Sequence, residues 1–552
     1  MDASAAGGNP LCWREAFTFA LCCALHYGPG GNSECWDSVH NFGTCCLPTR
    51  ESASCWAEAR QLLGSSADPV AQRMGRADDL SLMRFCCHPT AHISELCWGA
   101  GRPGGWRRLR DMSNKETLGF TRRYAECCFQ RLRHLIETGE IPDWMQKQLN
   151  MDLMPWEKKG SFATEDLDEF EAALDADGHG ASFCRFRVRK QRIFHCDFGS
   201  SKYYAMLNTL RDALHVLHVV TDLPDVDFLV YTNEAFAVDF LGNSSSLEPM
   251  KPPVPVLVQA QPRDGAGVLM PWWAFLQLGW TRRYGEMIQK ASLEKPWEER
   301  LPSVFWRGSD TGCLLHNSCH SGKCACAAWT QDSWACFPRS RLVLLSSLIP
   351  ERVDAKFTKD VVHPACAAVY KAAGLRVDEI VSPERHLDHR YLMYIDGLSF
   401  SDRLFWLALS GSLVLRSESQ LRVWLDGGLR PWRHFVPVRE NLTDLVDRLE
   451  WAVHNDGRCK EIAAEGARFA VVHLSLESSL HYLYRLLLRL AALIKVSPEH
   501  ESGGAMDTEL EELVEQDDIG ALELNVQEVV VTPMLLDVSA SHSRVGIHEQ
   551  LG

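Results

Sequence analysis

Residues 391–439 read YLMYIDGLSFSDRLFWLALSGSLVLRSESQLRVWLDGGLRPWRHFVPVR, and this stretch decides the fold. Tyr391–Ile395 is a short apolar strand. Asp396-Gly397 is a turn signal. Ser401 is placed to cap the helix that follows, because its hydroxyl can accept an orphan N–H of the first turn. Arg403 falls near the start of that helix. Gly411 ends it, and Ser412–Leu415 is a second strand. The result is a strand–helix–strand unit with a polar, cationic helix start. Such an end suits a phosphate or diphosphate, since backbone donors and the helix dipole point at it. It suits an ordinary capped helix equally well, and the choice depends on the rest of the chain.

Outward from this unit the pattern is that of an α/β protein. Phe183–Cys196, FCRFRVRKQRIFHC, reads as one or two strands joined by a polar turn, its Arg/Lys residues forming a solvated face. Lys202–Val220 carries apolar residues at helical spacing. Phe228–Tyr231 is a short apolar run expected to be a buried parallel strand, with Thr232, Asn233 and Glu234 at its carboxyl end. Open α/β sheets bind ligands outside those ends, so Glu234 is a candidate base. Its alternative is a loop acid facing water. A Pro-rich crossing leads into MPWWAFLQLGW, whose aromatics suit either a core or the flat face of a sugar. In PSVFWRGSDTG, Val304–Trp306 is a strand, and Arg307-Gly308-Ser309 is a tight turn able to approach a phosphate, without the GK[ST] of a Walker loop. Arg339 and Arg341 precede an apolar helix at Leu342–Leu348. Three helices close the body: Asn441–His454, Lys460–Ala470 and a long one from Leu476.

The chain has 552 residues, enough for two or three cores. A net charge of −15 is concentrated in Glu499–Gly552, which carries −12, so the body is near neutral and no basic balance points to nucleic acid. Twelve of the 21 cysteines precede residue 129. They form a CW…CC unit repeated four times: Cys12-Trp13 with Cys22-Cys23, Cys35-Trp36 with Cys45-Cys46, Cys55-Trp56 with Cys86-Cys87, and Cys97-Trp98 with Cys127-Cys128. Disulfides are expected there, and with them an oxidising compartment. The spacing lacks the CxxC pairs of strong zinc signatures. Cys313–Cys336 is a second cysteine-rich segment, a disulfide or metal loop. No leader peptide is legible in Met1–Pro10, so either the natural start lies upstream, the favoured expectation, or the cysteines are reduced. No stretch reads as a transmembrane helix; Leu476–Ile494 is interrupted by His481, Arg485 and Arg489.

The ordered blocks FLVYTNE, PWWAF, FWRGSDTG, RSRLVLLS, VDAKFT, GLSFSDR, SGSLVL and LRPWRHFVPV resemble the capsule-associated-protein-like, protein O-glucosyltransferase family (glycosyltransferase family 90) over roughly residues 183–494. The resemblance implies a GT-B-type pair of Rossmann-like lobes, at 183–300 on the acceptor side and 301–495 on the donor side. A cysteine-rich region at 1–130 and a transitional segment at 131–182 precede them, and an acidic tail at 496–552 follows. It implies an inverting, metal-independent transfer of glucose or xylose from a UDP-sugar to a hydroxyl of a protein or glycan, with no cofactor, in the lumen of the endoplasmic reticulum or Golgi or outside the cell. Carried over residue by residue, the family's catalytic aspartate falls at Glu234. Donor binding falls at Ser309, Arg339 and the run Leu398, Ser399, Phe400, Ser401, Asp402 and Arg403, with Arg307 in the same turn. Trp273 and Phe275 are expected beside the donor or acceptor. No metal ligands are implied. Two features depart from the family: Glu for Asp at 234, and a shortened segment between PWWAF and RGS, where relatives grip the acceptor. The Glu234 change and the cysteine repeats keep a second expectation in view, a transferase-fold binding protein whose repeats do the work. A third is an enzyme regulated through the 313–336 loop.

Overall fold

The computed structural model describes Cys35, parts of 59–76, and then residues 129–196, 204–232, 252–276, 288–310, 338–358, 368–397 and 399–495, with short gaps inside these ranges. Asn243-Ser244-Ser245 and Asn441-Leu442-Thr443 match the N-glycosylation sequon; the second is a turn with Asn441 and Thr443 exposed, and Asn243 lies outside the described residues, as do Glu234, Leu398, the 313–336 loop and the 496–552 tail.

The expected transitional segment is folded. The helices Gln130–Thr138, Asp143–Lys159 and Thr164–Ala176, with strand β1 (Phe162–Ala163), bury Trp144, Met145, Leu149, Leu153, Trp156 and Leu167 in the main core. The sequence shows a helix at Arg131–Thr138, and it forms at Gln130–Thr138; the two helices that follow were not read, Thr164–Ala176 because acidic residues crowd its outer face and hide the helical period.

The first sheet holds β2 (Phe183–Arg189), β3 (Arg192–His195), β4 (Val226–Tyr231), β5 (Val256–Val258) and, beyond the short β6 (Ala260–Pro262), β7 (Val268–Leu269). Its order is β3-β2-β4-β5-β7; β3, β2 and β4 are antiparallel neighbours, and β4, β5 and β7 run parallel. β2 and β3 are a hairpin with Lys190 and Gln191 at φ 47° and 66°, the left-handed pair that matches strand twist in a two-residue turn. A disulfide, Cys184–Cys196, closes it, and Cys35 is also disulfide-bonded. The arginines of β2 do not form the solvated face expected of them. Arg185, Arg187 and Arg189 converge on Asp227 of β4, whose side chain is fully buried, and Arg185 also reaches Asp168 and Glu171 on the covering helix. A buried carboxylate requires such partners, and these lie about 40 residues away in sequence.

The second sheet is wholly parallel: β8 (Leu301–Gly308), β9 (Val353–Phe357), β10 (His389–Tyr394), β11 (Leu413–Ser417) and, after the short β12 (Leu421–Val423), β13 (Val436–Val438). Its order from one edge is β9-β8-β10-β11-β13. Numbered along the chain this is 2-1-3-4-5, a doubly wound order that reverses between β8 and β10. Strand alternation divides its faces. Phe305, Leu392, Tyr394 and Val414 join the main core with the helix Leu404–Leu409. Val304, Trp306, Tyr391, Met393, Leu413 and Leu415 face a second core with the helices Pro338–Leu348 and Leu445–His454. The α/β class expected from the sequence is what forms. The sheets are joined by antiparallel pairing of β6 with β12 and by the helix Leu476–Leu493, after which β14 (Ile494–Lys495) pairs with β1. Among the described residues no helix is long and apolar enough to cross a membrane.

Gly411 ends the Leu404–Leu409 segment as its sequence suggests. It sits at φ 67°, and a Cβ there would stand 2.7 Å from Ser292 Oγ. Gly411→Ala is expected to cost about 1–2 kcal/mol, measured as a lowered denaturant midpoint with an unchanged m-value.

Candidate functional site

A doubly wound sheet leaves a crevice where its order reverses, outside the carboxyl ends of the two central strands. Here those ends are Gly308-Ser309-Asp310 after β8 and Ile395-Asp396-Gly397 after β10. Gly308 is required by crowding: a Cβ would meet the Trp306 indole at 2.5 Å. Arg339, the second residue of Pro338–Leu348, ties the two ends together. Its Nε donates to the Asp396 carbonyl at 2.9 Å, Nη2 to the Ile395 carbonyl at 3.3 Å, and Nη1 to the carbonyl and hydroxyl of Ser309, both at 3.3 Å.

Arg403 approaches from the opposite face and donates to the Arg307 carbonyl. The guanidinium carbons of Arg339 and Arg403 lie 5.7 and 5.8 Å from the centroid of the same Trp306 ring. Burial, with the Arg403 charge beside it, pushes Arg339 down to about 10, which leaves it cationic at neutral pH. Two cations thus share one indole at the reversal point, an arrangement that favours a multiply charged anion.

Arg307 is not part of this pair. It alternates with Trp306 along β8 and so points to the other face. There it stacks 4.2 Å from the Phe305 ring and pairs with Asp354 at 2.9 Å. Ser401 is not the helix cap. The helix starts at Leu404, Arg403 occupies the capping position at φ −68°, and no side chain caps it. The Ser401 N–H donates instead to the Tyr394 hydroxyl at 3.1 Å, which holds the segment down on β10 and leaves the helix only six residues. Ser399 is buried, its carbonyl accepting from Gly397 N–H at 2.8 Å, and Asp402 is exposed.

Phe400 packs edge-on to Trp272 at 5.9 Å, and Phe275 to Phe405 at 5.0 Å. Together with Tyr394, Ser401, Asp402 and Trp424 these residues line one pocket between the two sheets. Phe275 is nearly fully buried, so it serves as core as well as wall. Trp272, rather than the expected Trp273, lines the pocket beside it. The structure therefore brings together Ser309, Arg339, Arg403 and, next to them, Ser399–Asp402 with Phe275. It leaves Arg307 apart. β4 ends at Tyr231, and Thr232 donates through N–H and hydroxyl to the Ser182 carbonyl at 2.9 and 3.0 Å; Glu234 lies two residues beyond, outside the described residues.

Three contributors were missed. Trp306 read only as a strand residue, although strand parity with Arg307 marks it as the one facing Arg339. Trp272 was passed over for its neighbour. Asp396 read only as a turn; its carboxyl is raised by burial, and its Oδ1 is enclosed without a hydrogen-bond partner. Its neighbour Arg416 lies between the Tyr394 and Phe435 rings, at 5.4 and 5.3 Å, and pairs with Asp426 at 2.6 Å.

Comparison with known proteins agrees with this architecture. The family model described as "Glycosyl transferase family 90" matches residues 137–319 and 315–521. The chain is 25% identical over 284 residues to rat protein O-glucosyltransferase 1, a match covering 49% of this chain and 64% of that protein. It is 28% identical over 255 residues to the O-glucosyltransferase rumi homolog of Aedes aegypti, covering 44% and 57%. It is 25% identical over 336 residues to protein O-glucosyltransferase 2 of Danio rerio, covering 59% of each. The match thus spans a little under two thirds of these relatives. With the family model covering well over half of its residues, the chain belongs to glycosyl transferase family 90.

Proposed function

We propose that the chain transfers a sugar, glucose or xylose, from a UDP-sugar to a hydroxyl of a protein or glycan, with inversion at the anomeric carbon and without a metal. The observation that carries this reading is the convergence of Ser309, Arg339 and Arg403 at the β8/β10 reversal point, with Phe400, in the same segment as Arg403, packed on Trp272. Residues 183–300 and 301–495 act as the acceptor and donor lobes of a GT-B enzyme. The UDP diphosphate lies against Arg339 and Arg403, and Ser309 and Ser401 offer hydroxyls to its oxygens. The sugar extends toward Trp272 and Phe275.

Glu234 takes the proton from the acceptor hydroxyl as that oxygen bonds the anomeric carbon. The bond from that carbon to the phosphate oxygen breaks on the opposite side, and its electron pair leaves with UDP. Arg339 and Arg403 stabilise the charge that develops there. The relatives' names support a protein acceptor. The disulfides support an oxidising compartment, lumenal or extracellular.

Incubation with UDP-glucose or UDP-xylose is expected to release UDP. Release with neither, together with no calorimetric binding of UDP, overturns the reading. Arg403→Ala is expected to weaken UDP binding more than tenfold, about 1.5–3 kcal/mol for a charge-assisted contact, with a smaller effect on stability than Arg339→Ala because Arg403 is only half-buried.

A further inference from the structure

β13 is the outer strand of the second sheet, and the chain leaves its carboxyl end through Asn441-Leu442-Thr443. Asn441 and Thr443 are exposed, and Leu442 between them is buried. Leu442 stands at φ 55°, a left-handed backbone that a leucine adopts only where its surroundings impose it. Here they do. Its N–H donates to the Arg439 carbonyl at 2.8 Å, its carbonyl accepts from the Leu445 N–H at 3.2 Å, and its side chain joins the second core. The Asn441 carbonyl accepts from Arg341, two residues along the helix from Arg339. The turn is fixed from below, and it shows its two polar side chains to solvent.

Those side chains bond each other. Asn441 Oδ1 accepts from the Thr443 N–H at 3.2 Å and from the Thr443 hydroxyl at 2.8 Å, an Asx turn closed a second time by the hydroxyl. Among the described residues Nδ2 donates to nothing, so the Oδ1 side of the amide is held and the Nδ2 side is left to solvent. Asparagine with threonine two positions on is the acceptor sequence for an N-linked glycan, and so bulky a group requires a surface turn.

We infer that Asn441 is an N-glycosylation site, modified at Nδ2 as the chain enters a secretory lumen. The donor class is an oligosaccharide carried on a lipid diphosphate. Nδ2 bonds the anomeric carbon, the bond from that carbon to the diphosphate oxygen breaks, and its electron pair leaves with the lipid diphosphate. The nitrogen gives one proton to a base of the transferring enzyme and keeps the other. Oδ1 is untouched, so both Thr443 donations, and with them the turn, survive the modification. The glycan stands on the carboxyl-end rim of the second sheet, two strands from the β8/β10 crevice. The inference rests on the lumenal reading of the compartment, which the Cys184–Cys196 disulfide supports, and not on the transferase reading.

The test is a peptide map of the full chain isolated from the cells that make it, after treatment with peptide N-glycosidase in heavy-oxygen water. That treatment removes an N-linked glycan and leaves an aspartate carrying the heavy oxygen, so Asn441 is read separately from Asn243. The Asn441 peptide is expected almost wholly as labelled aspartate. Thr443→Ser keeps the hydroxyl and should retain the label, whereas Thr443→Val should lose nearly all of it. An unlabelled Asn441 in the wild-type chain overturns the inference, and so does full labelling in Thr443→Val. The same digest reads Cys184 and Cys196. Unlabelled Asn441 beside an intact disulfide overturns the site alone; unlabelled Asn441 beside free thiols overturns the lumenal reading with it. UDP release enters neither readout, so failure of the transferase reading appears independently.

Discussion

Arg339→Ala should unfold more easily than the wild-type chain, by about 3–5 kcal/mol, because the carbonyls of Ser309, Ile395 and Asp396 lose their donor inside the fold and each buried unsatisfied group costs about 1–3 kcal/mol. It should also lose at least about a hundredfold in UDP affinity, since a charge-assisted pair and the alignment of two strand ends disappear together. Denaturant unfolding and calorimetry with UDP measure the two effects. Arg339→Lys separates them. Lysine restores the charge but not the planar fork, so it should recover part of the binding while the stability loss remains. An Arg339→Ala protein with the wild-type unfolding midpoint would sink the clamp. One with wild-type UDP affinity would move the diphosphate away from the reversal point.

Glu234→Gln is expected to lower kcat by about 10²- to 10⁴-fold, the usual contribution of a general base, while UDP affinity stays unchanged. Glutamine keeps the size of the side chain and cannot accept the proton. Glu234→Asp is the informative companion. It shortens the arm by one methylene, about 1.5 Å, toward the residue that the family resemblance implies. A rate within tenfold of wild type would show that the site tolerates either reach. Wild-type turnover in Glu234→Gln would remove the base assignment altogether. UDP binding without UDP release in wild type would favour the reading as a binding protein with a transferase fold.

Much of the second sheet was legible in residues 391–439. The run of apolar residues, the Asp396-Gly397 turn and Gly411 each act locally, and the parallel strands and the helix between them formed as read. The errors share one physical cause: the deciding partner is far away in the chain. Ser401 has the chemistry of a cap, but Tyr394 takes its N–H. Arg185, Arg187 and Arg189 alternate like a wet strand face, but Asp227 lies buried on β4, the neighbour of β2 on its other edge. Arg307 has the charge of a phosphate ligand, but strand parity assigns that face to Trp306. Arg403 was legible at its helix start and Ser309 in its glycine turn, but Arg339 as a donor residue only through the resemblance. Nothing in their spacing announces that helices on opposite faces of one sheet deliver them to a single point.

The helix Leu476–Leu493 packs in the main core with Leu149, Leu214 and Leu229, and β14 then pairs with β1 across more than 330 residues. This has a consequence for biosynthesis. The second sheet, built from 301–438, has every strand it needs once Val438 has left the ribosome, whereas the first sheet waits for the last helix to fold back onto it. The amino-terminal half must therefore be kept from aggregating while the carboxyl-terminal half is still being made. A nascent chain stalled before Leu476 should leave residues 129–276 open to protease, and release of the next twenty residues should close them.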